Sequence, residues 1–392
     1  MQHKQGKTGV IKTAHSSIKS PSAYDINSAM KILIMKFRNI GDVLLTSPMA
    51  DALATLPEPP EVTFLVKKGT EAMLTGHPHI KQVLVLPDRH KDESKYSFLK
   101  RQMAFIKQLR SENFDISINT TEGDRGLIFG WLSGAQRRIG YLKKNEKWWR
   151  KYLVTEAHTM REGRFHTVLR NLDLLQNIAV PKTISVTLSY SNQDKIRVLE
   201  LLKESGWNQK PYVHIHPVSR WFFKCWRDDY MAQTIDYIQS TLGLKVVLTC
   251  APDAKEREKL NNIISQCQTK PIDLGGKLSL KEIVALSAYA EFFFGVDSAP
   301  MHMAAAVDTP VLAIFGPSGA FDWGPWPNGW DQIAVNPYPK RNGVQQVGKH
   351  TVVQQEWECA PCGKAGCEDS KNSRCLNKTL PLPFIKNKNT IA

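Results

Sequence analysis

The chain has 392 residues and a formal net charge of +15, from 52 basic and 37 acidic side chains. That length is too great for one ordinary core and suits two domains, and no apolar run approaches the ~20 residues a membrane helix needs. The seven cysteines are odd in number and Cys225, Cys250 and Cys267 are scattered, which does not match a secreted disulfide framework, so a cytoplasmic protein is expected. The charge favours anionic partners (nucleic acid, phosphorylated sugars or an anionic membrane surface) without choosing among them.

Residues 1–29 are polar, rich in Ser and Lys, and lack the apolar core of a secretory signal; a disordered extension is expected. From residue 30 to 187, apolar runs "KILIMKF", "EVTFLV", "QVLVLP" and "DISINT" read as strands buried on both faces. Between them, Leu99, Met103, Ile106 and Leu109 recur at helical spacing. Pro181 punctuates the passage to a second series over 188–340. Its runs are "YVHIHP", "KVVLTC", "FFFGVD" and "PVLAIFG", with a helix from "DDYM" to Gly243. Twice-repeated βα alternation predicts two Rossmann-like, doubly wound parallel-sheet α/β domains facing a cleft, with ligands outside the strands' carboxyl ends. "GPSGAFDWGPWPNGW" reads as an ordered loop, and 341–392 as a basic tail with a cysteine cluster.

Four junctions carry the chemistry. In "KFRNIGDVLLTSP", Asp42 follows Gly41 where strand gives way to helix. An Asp there is commonly a cap, and the helix's positive end would also keep it ionised, able to take a proton from an attacking hydroxyl. In "GVDSAPMHMAAAVDTP", Asp297 ends a strand, and the small residues Ser298 and Ala299 would let an anion reach free helix amides, with His302 one turn on. A close-packed capped junction explains the same residues. "HIHPVSRWFFKCWRDD" places Ser219, Arg220 and Lys224 after a strand, suited to a diphosphate leaving group or simply a solvated basic loop. "TCAPDAKEREKL" offers Asp253 and Glu256 as a ribose pair, although acids at a helix start are common without a ligand.

"YLKKNEKWWRKYL" is basic and aromatic, fit for acceptor phosphates, a membrane surface or plain solvent. Arg161, Arg164, His166 and Arg170 near the domain junction are acceptor contacts or interdomain links. In the tail, Cys359, Cys362, Cys367 and Cys375 are spaced for a structural zinc or for free thiols; no catalytic metal or other cofactor is indicated. No strand is followed by G-x-G-x-x-G, which weighs against a nicotinamide enzyme. No recognised nucleic-acid module accompanies the charge, so nucleic acid is not an expected partner.

With "KFRNIGDVLLTSP", "FKCW", "VVLTCAPDA" and "GVDSAPMHMAAAVDTPV" in view, the chain resembles the lipopolysaccharide heptosyltransferases over roughly Lys31 to Trp326. "FKCWRDD" with "VVLTC" is most similar to their type III members. The resemblance implies a GT-B fold and metal-free, inverting transfer from ADP-heptose to a phosphorylated lipid A–core acceptor at the cytoplasmic face of the inner membrane. The first domain would bind acceptor, with Arg38, Arg161, Arg164 and His166 as contacts and Asp42 as general base. The second would bind donor, with Lys224, Ser298 and Ala299 at the diphosphate, Asp297 near the heptose, and His302 as the motif histidine. The loop before Lys224 is one residue longer than in the type I enzymes, and Ala254 stands where those have a ribose glutamate. A type I or II enzyme, another nucleotide-sugar transferase, and a basic nucleic-acid-binding protein are the alternatives.

Overall fold

The computed structural model describes residues 29–381 except 162; the expected N-terminal extension, apart from Ala29, and the last eleven residues of the tail lie outside it. Two sheets organise the chain. The first holds β1 (Lys31–Lys36), β2 (Glu61–Lys67), β3 (Gln82–Leu86), β4 (Ile116–Asn119), β5 (Arg137–Tyr141) and β6 (Glu156–His158), all parallel, in the order β3-β2-β1-β4-β5-β6. The second holds β7 (Tyr212–His216), β8 (Lys245–Leu248), β9 (Ile272–Asp273), β10 (Phe292–Val296), β11 (Val311–Phe315), β12 (Val344–Val347) and β13 (His350–Gln354), in the order β12-β13-β11-β10-β7-β8-β9. Only β12 runs antiparallel.

Side-chain alternation along β1 sorts the first domain's helices. Ile32 and Ile34 pack with Val43 and Leu44 of α1 (Ile40–Leu44) and with Met49 and Leu53 of α2 (Pro48–Leu53). Leu33 and Met35 face the other way, onto Phe105 and Leu109 of α3 (Lys95–Ser111) and Phe129 of α4 (Asp124–Leu132). Right-handed crossovers give the same division: the chain moves outward from β1 to β3, then returns through α3, α4 and α5 (Trp148–Leu153) on the opposite face.

After α6 (Thr167–Asp173), residues 174–191 carry the chain to α7 (Asn192–Glu204) and the second sheet. There α8 (Asp228–Ser240) and α9 (Ala254–Ser265) cover one face. α10 (Leu280–Ala288) and α11 (Ala299–Ala306) cover the other. One apolar cluster runs from Ile32 and Leu53 through Leu172 and Val186 to Val284 and Met303, joining the α1–α2 side of the first domain to the α10–α11 side of the second. The two sheets are thus held in a GT-B arrangement by shared burial.

Every strand read from an apolar run is present. β5 begins with Arg137 and Arg138 and β6 has three residues, so neither gives an apolar run. β12 and β13 lie in the segment read as a tail, yet they extend the second sheet beyond residue 340, and Cys375 and Leu376 pack in its core. On α3 the buried side is Phe105 and Leu109 with Ile106 beside them, whereas Leu99 and Met103 are 60% and 58% exposed.

Candidate active site

β10 is wholly buried, and Asp297 follows it at 4% exposure. Lys224 Nζ lies 2.6 Å from Asp297 Oδ2, and Ser318 Oγ donates to the same oxygen. A buried carboxylate needs such partners. Lys224 ends a single helical turn (Phe222–Lys224) in the loop after β7, so the two junctions singled out in this domain converge. α11 then begins with Pro300 near its start, where a missing N–H costs nothing. Ser298 Oγ and His302 Nδ1 are both buried without a hydrogen-bond partner. Burial pushes the His302 imidazole down to about 4, only partly offset by Asp297, so it is neutral near pH 7.

The first domain meets this point directly. A Cβ at Gly41 would come within 3.0 Å of His302 Cδ2 and 3.7 Å of the Ala299 Cα. The start of α1 therefore abuts the start of α11, and only a residue without a side chain fits comfortably there. Asp42 is the next residue. Asn39, not Asp42, is the N-cap; Asp42 sits in the first turn and its Oδ2 accepts from the Asn39 N–H at 3.3 Å. Lys36, at the end of β1, is buried; its Nζ donates to Thr120 O at 3.0 Å, and burial lowers its ammonium to about 8 against the pull of Asp42. Reading the sequence did not mark Lys36, Gly41 or Ser318. A lysine closing an otherwise apolar strand was the one local signal.

The remaining expected site residues fall into place differently. Ser219 is buried, its Oγ accepts from Trp221 N at 3.3 Å, and it shapes the loop. Arg220 is exposed over the Trp221 ring. Asp253 caps α9 through the Lys255 and Glu256 amides, and Glu256 is buried on the Ala251 amide at 3.0 Å, with burial raising its carboxyl. Those bonds set the turn after β8, in place of a free ribose pair. Arg38 is exposed beside Asn39. His166 is no acceptor contact: it is fully buried, Nε2 donates to Gly324 O at 2.9 Å, Nδ1 accepts from Val168 N, and burial holds it near 3. Arg161 pairs with Asp173 at 2.5 Å, and Arg164 lies over Phe321. Arg170 pairs with Asp322 across the junction at 2.9 Å. This group mainly joins the domains.

The four tail thiols lie near enough for Cys359, Cys362 and Cys367 each to act on Cys375, although no three of their sulfurs come within 4.8 Å of one another. Cys359 and Cys362 are exposed, while Cys375 turns into the core, where burial raises its thiol to about 11. Among the described residues the one set of three ligand atoms within 4.8 Å of one another is Asp51, His77 and His79. There His77 Nδ1 accepts from the His79 N–H at 3.2 Å. His79 Nδ1 lies 2.9 Å from Asp51, whereas the buried His77 Nε2, 3.5 Å from the same carboxylate, has no hydrogen-bond partner. The tail also packs on the site. Ser373 Oγ donates to Phe223 O at 2.6 Å, Trp226 Nε1 donates to Thr379 O at 2.9 Å, and Gln354 Nε2 donates to Gly316 O and Ser318 O. It braces the two loops that meet at Asp297.

Two facing α/β domains with their helix starts abutting, one bearing Asp42 and the other an Asp–Lys–Ser cluster, make up an architecture of the GT-B class. Residues 102–350 match the model of glycosyltransferase family 9 (heptosyltransferase). The chain is 32% identical over 304 residues to lipopolysaccharide heptosyltransferase 3 of Escherichia coli K12, covering 76% of this chain and 86% of that one. Its fold matches a family 9 glycosyltransferase from Veillonella parvula (TM-score 0.74, 17% identity, 93% and 97% of the two chains). It also matches E. coli ADP-heptose heptosyltransferase II (TM-score 0.70, 18% identity, 92% and 98%). The chain belongs to glycosyltransferase family 9, the heptosyltransferases.

Proposed function

We propose that this enzyme moves heptose from ADP-L-glycero-β-D-manno-heptose to a heptose of the lipopolysaccharide inner core, in the manner of heptosyltransferase 3, with inversion. The observation that carries the reading is the close approach of Gly41, the residue before Asp42, to His302 and Ala299 at the start of α11. The second domain holds the donor, with its diphosphate at the Ser298 and Ala299 amides and Lys224. Ser298 Oγ and His302 Nδ1 supply unspent polar atoms there. Asp42 takes the proton of the acceptor hydroxyl as that oxygen attacks the anomeric carbon from the face opposite ADP. Lys224 and the helix amides stabilise the charge that develops on ADP as it leaves. No metal is needed for these steps.

The acceptor is a phosphorylated, lipid A-linked saccharide in the first domain, with Arg38 free to meet it, at the cytoplasmic face of the inner membrane. Mass spectrometry of lipopolysaccharide from a strain lacking the protein tests the assignment. Loss of one side heptose with the main chain intact supports the type III reading. A truncated main chain would replace it with type I or II, and unchanged lipopolysaccharide would remove it.

A further inference from the structure

We infer that the face of the first domain formed by α3, α4 and α5 docks on an anionic lipid bilayer. α4 packs against both α3 and α5, so the three helices form one surface, turned away from the second domain. Each presents apolar side chains to solvent. Tyr96, Leu99 and Met103 form an i, i+3, i+7 line on α3. Ile128 and Trp131 do so on α4. Trp148 and Tyr152, at 74% and 73% exposure, stand edge to face on α5 with ring centroids 6.0 Å apart. No residue of α5 is buried. Trp149, Arg150 and Leu153 are half-buried where α5 packs on α4, which leaves Trp148 and Tyr152 outward, and large aromatics are a poor surface for solvent.

The charge around these rings chooses the partner. α3 carries five basic residues and no acid, and Lys143–Lys151 carries five basic residues and one acid. Three of the nearby acids are already matched, Glu146 and Asp124 by Arg150 and Glu93 by Arg101, which leaves Asp88, Asp92 and Glu122 against the larger number of lysines. Lys95, Lys100, Lys143, Lys144, Lys147 and Lys151 make no ion pair among the described residues. Aromatic rings among lysines match the headgroup layer of an anionic membrane, where Trp and Tyr sit at the interface and Lys stems reach past apolar surface. A second copy docked symmetrically would set lysines against lysines.

Position agrees with the proposed function, on which this inference rests. α3 and α5 start just beyond the carboxyl ends of β3 and β5, at the same sheet edge as α1 and Asp42 beyond β1. A bilayer against Tyr96, Trp148 and Tyr152 would lie at the rim of the cleft, where a lipid-anchored acceptor enters without leaving its membrane.

The test is sedimentation of the full chain with vesicles of phosphatidylcholine alone and of phosphatidylcholine with phosphatidylglycerol at about three to one. Binding is expected to the mixed vesicles only, weakening with salt. Trp148→Ser with Tyr152→Ser should lower the partition coefficient at least about tenfold. Each of Lys143→Gln, Lys144→Gln and Lys147→Gln should lower it about fivefold. These exposed variants should keep the wild-type melting temperature and transfer heptose normally to a delipidated core saccharide. Wild-type protein that transfers heptose but stays in the supernatant overturns the docking surface alone. Protein that sediments without transferring overturns the function and leaves the surface. A dimer abolished by the aromatic variant, with no vesicle binding, assigns the face to a second copy instead.

Discussion

Replacing Asp42 by Asn keeps a side-chain oxygen for the Asn39 N–H, so the first turn of α1 should hold and the melting temperature should change little. The amide cannot take a proton. Turnover should therefore fall by about 10²–10⁴, the range a general base supplies, with the donor KM nearly unchanged. Wild-type turnover would remove the base assignment. Lys224→Ala acts differently, because it strands the Asp297 carboxylate with only Ser318 beside it. Unpairing a buried charge costs about 3–5 kcal/mol. Adding Asp297→Asn should restore part of that stability but none of the activity; denaturant melts of the single and double variants read the coupling. Asp297 could be singled out because an acid directly after an apolar strand and before small residues is a local pattern, and Asp42 because it follows a glycine where strand gives way to helix. Gly41 was not, because its reason is His302, brought near by the docking of two domains. The His166 and Arg170 links were legible only as one of two alternatives, since a sequence does not show which charges are buried.

Elements with apolar runs were read correctly, and those that depend on distant partners were not. β13 carries His350, Thr351 and Gln354 among two valines, yet all five residues are buried against β11 and β12. The α3 periodicity was real but its orientation was not readable: Phe105 and Leu109 face the sheet, leaving Leu99 and Met103 outside. The tail's meaning also appeared only in three dimensions. Its hydroxyl at Ser373 holds the carbonyl of Phe223, the residue before Lys224. Ser373→Ala leaves that carbonyl short of a donor and should cost about 1–3 kcal/mol. With the loop loosened, KM for the proposed donor, ADP-heptose, should rise several-fold while the acceptor KM stays put; steady-state kinetics with each substrate varied in turn would show it. Equal rises in both KM values would mean general loosening and not a brace on the donor loop.

The whole molecule combines a large positive charge with a set of histidines that folding keeps neutral. Burial lowers His166 and His216 to about 3, His302 and His350 to about 4, and His214 well below its ordinary 6.5. His214 and His216 sit on β7 with Thr249 Oγ1 between them, and His214 also meets Ser287. In the unfolded chain each would take up a proton near 6.5. Between that value and its folded value, the unfolded state binds more protons, so stability rises with pH across the window. The contribution is complete above 6.5 and is lost as pH falls toward 4, at about 1.4 kcal/mol per pH unit for each group. Newly protonated histidines would add to a net charge of +15, so self-repulsion works in the same direction. Thermal melts followed by circular dichroism from about pH 8 to about pH 4 should show a plateau near neutrality and then a steep fall. His216→Gln should make that fall shallower by about one proton's worth, at some cost in stability at neutral pH. A melting temperature that stays level down to pH near 4 would mean that these rings are protonated, or reach water, in the folded enzyme.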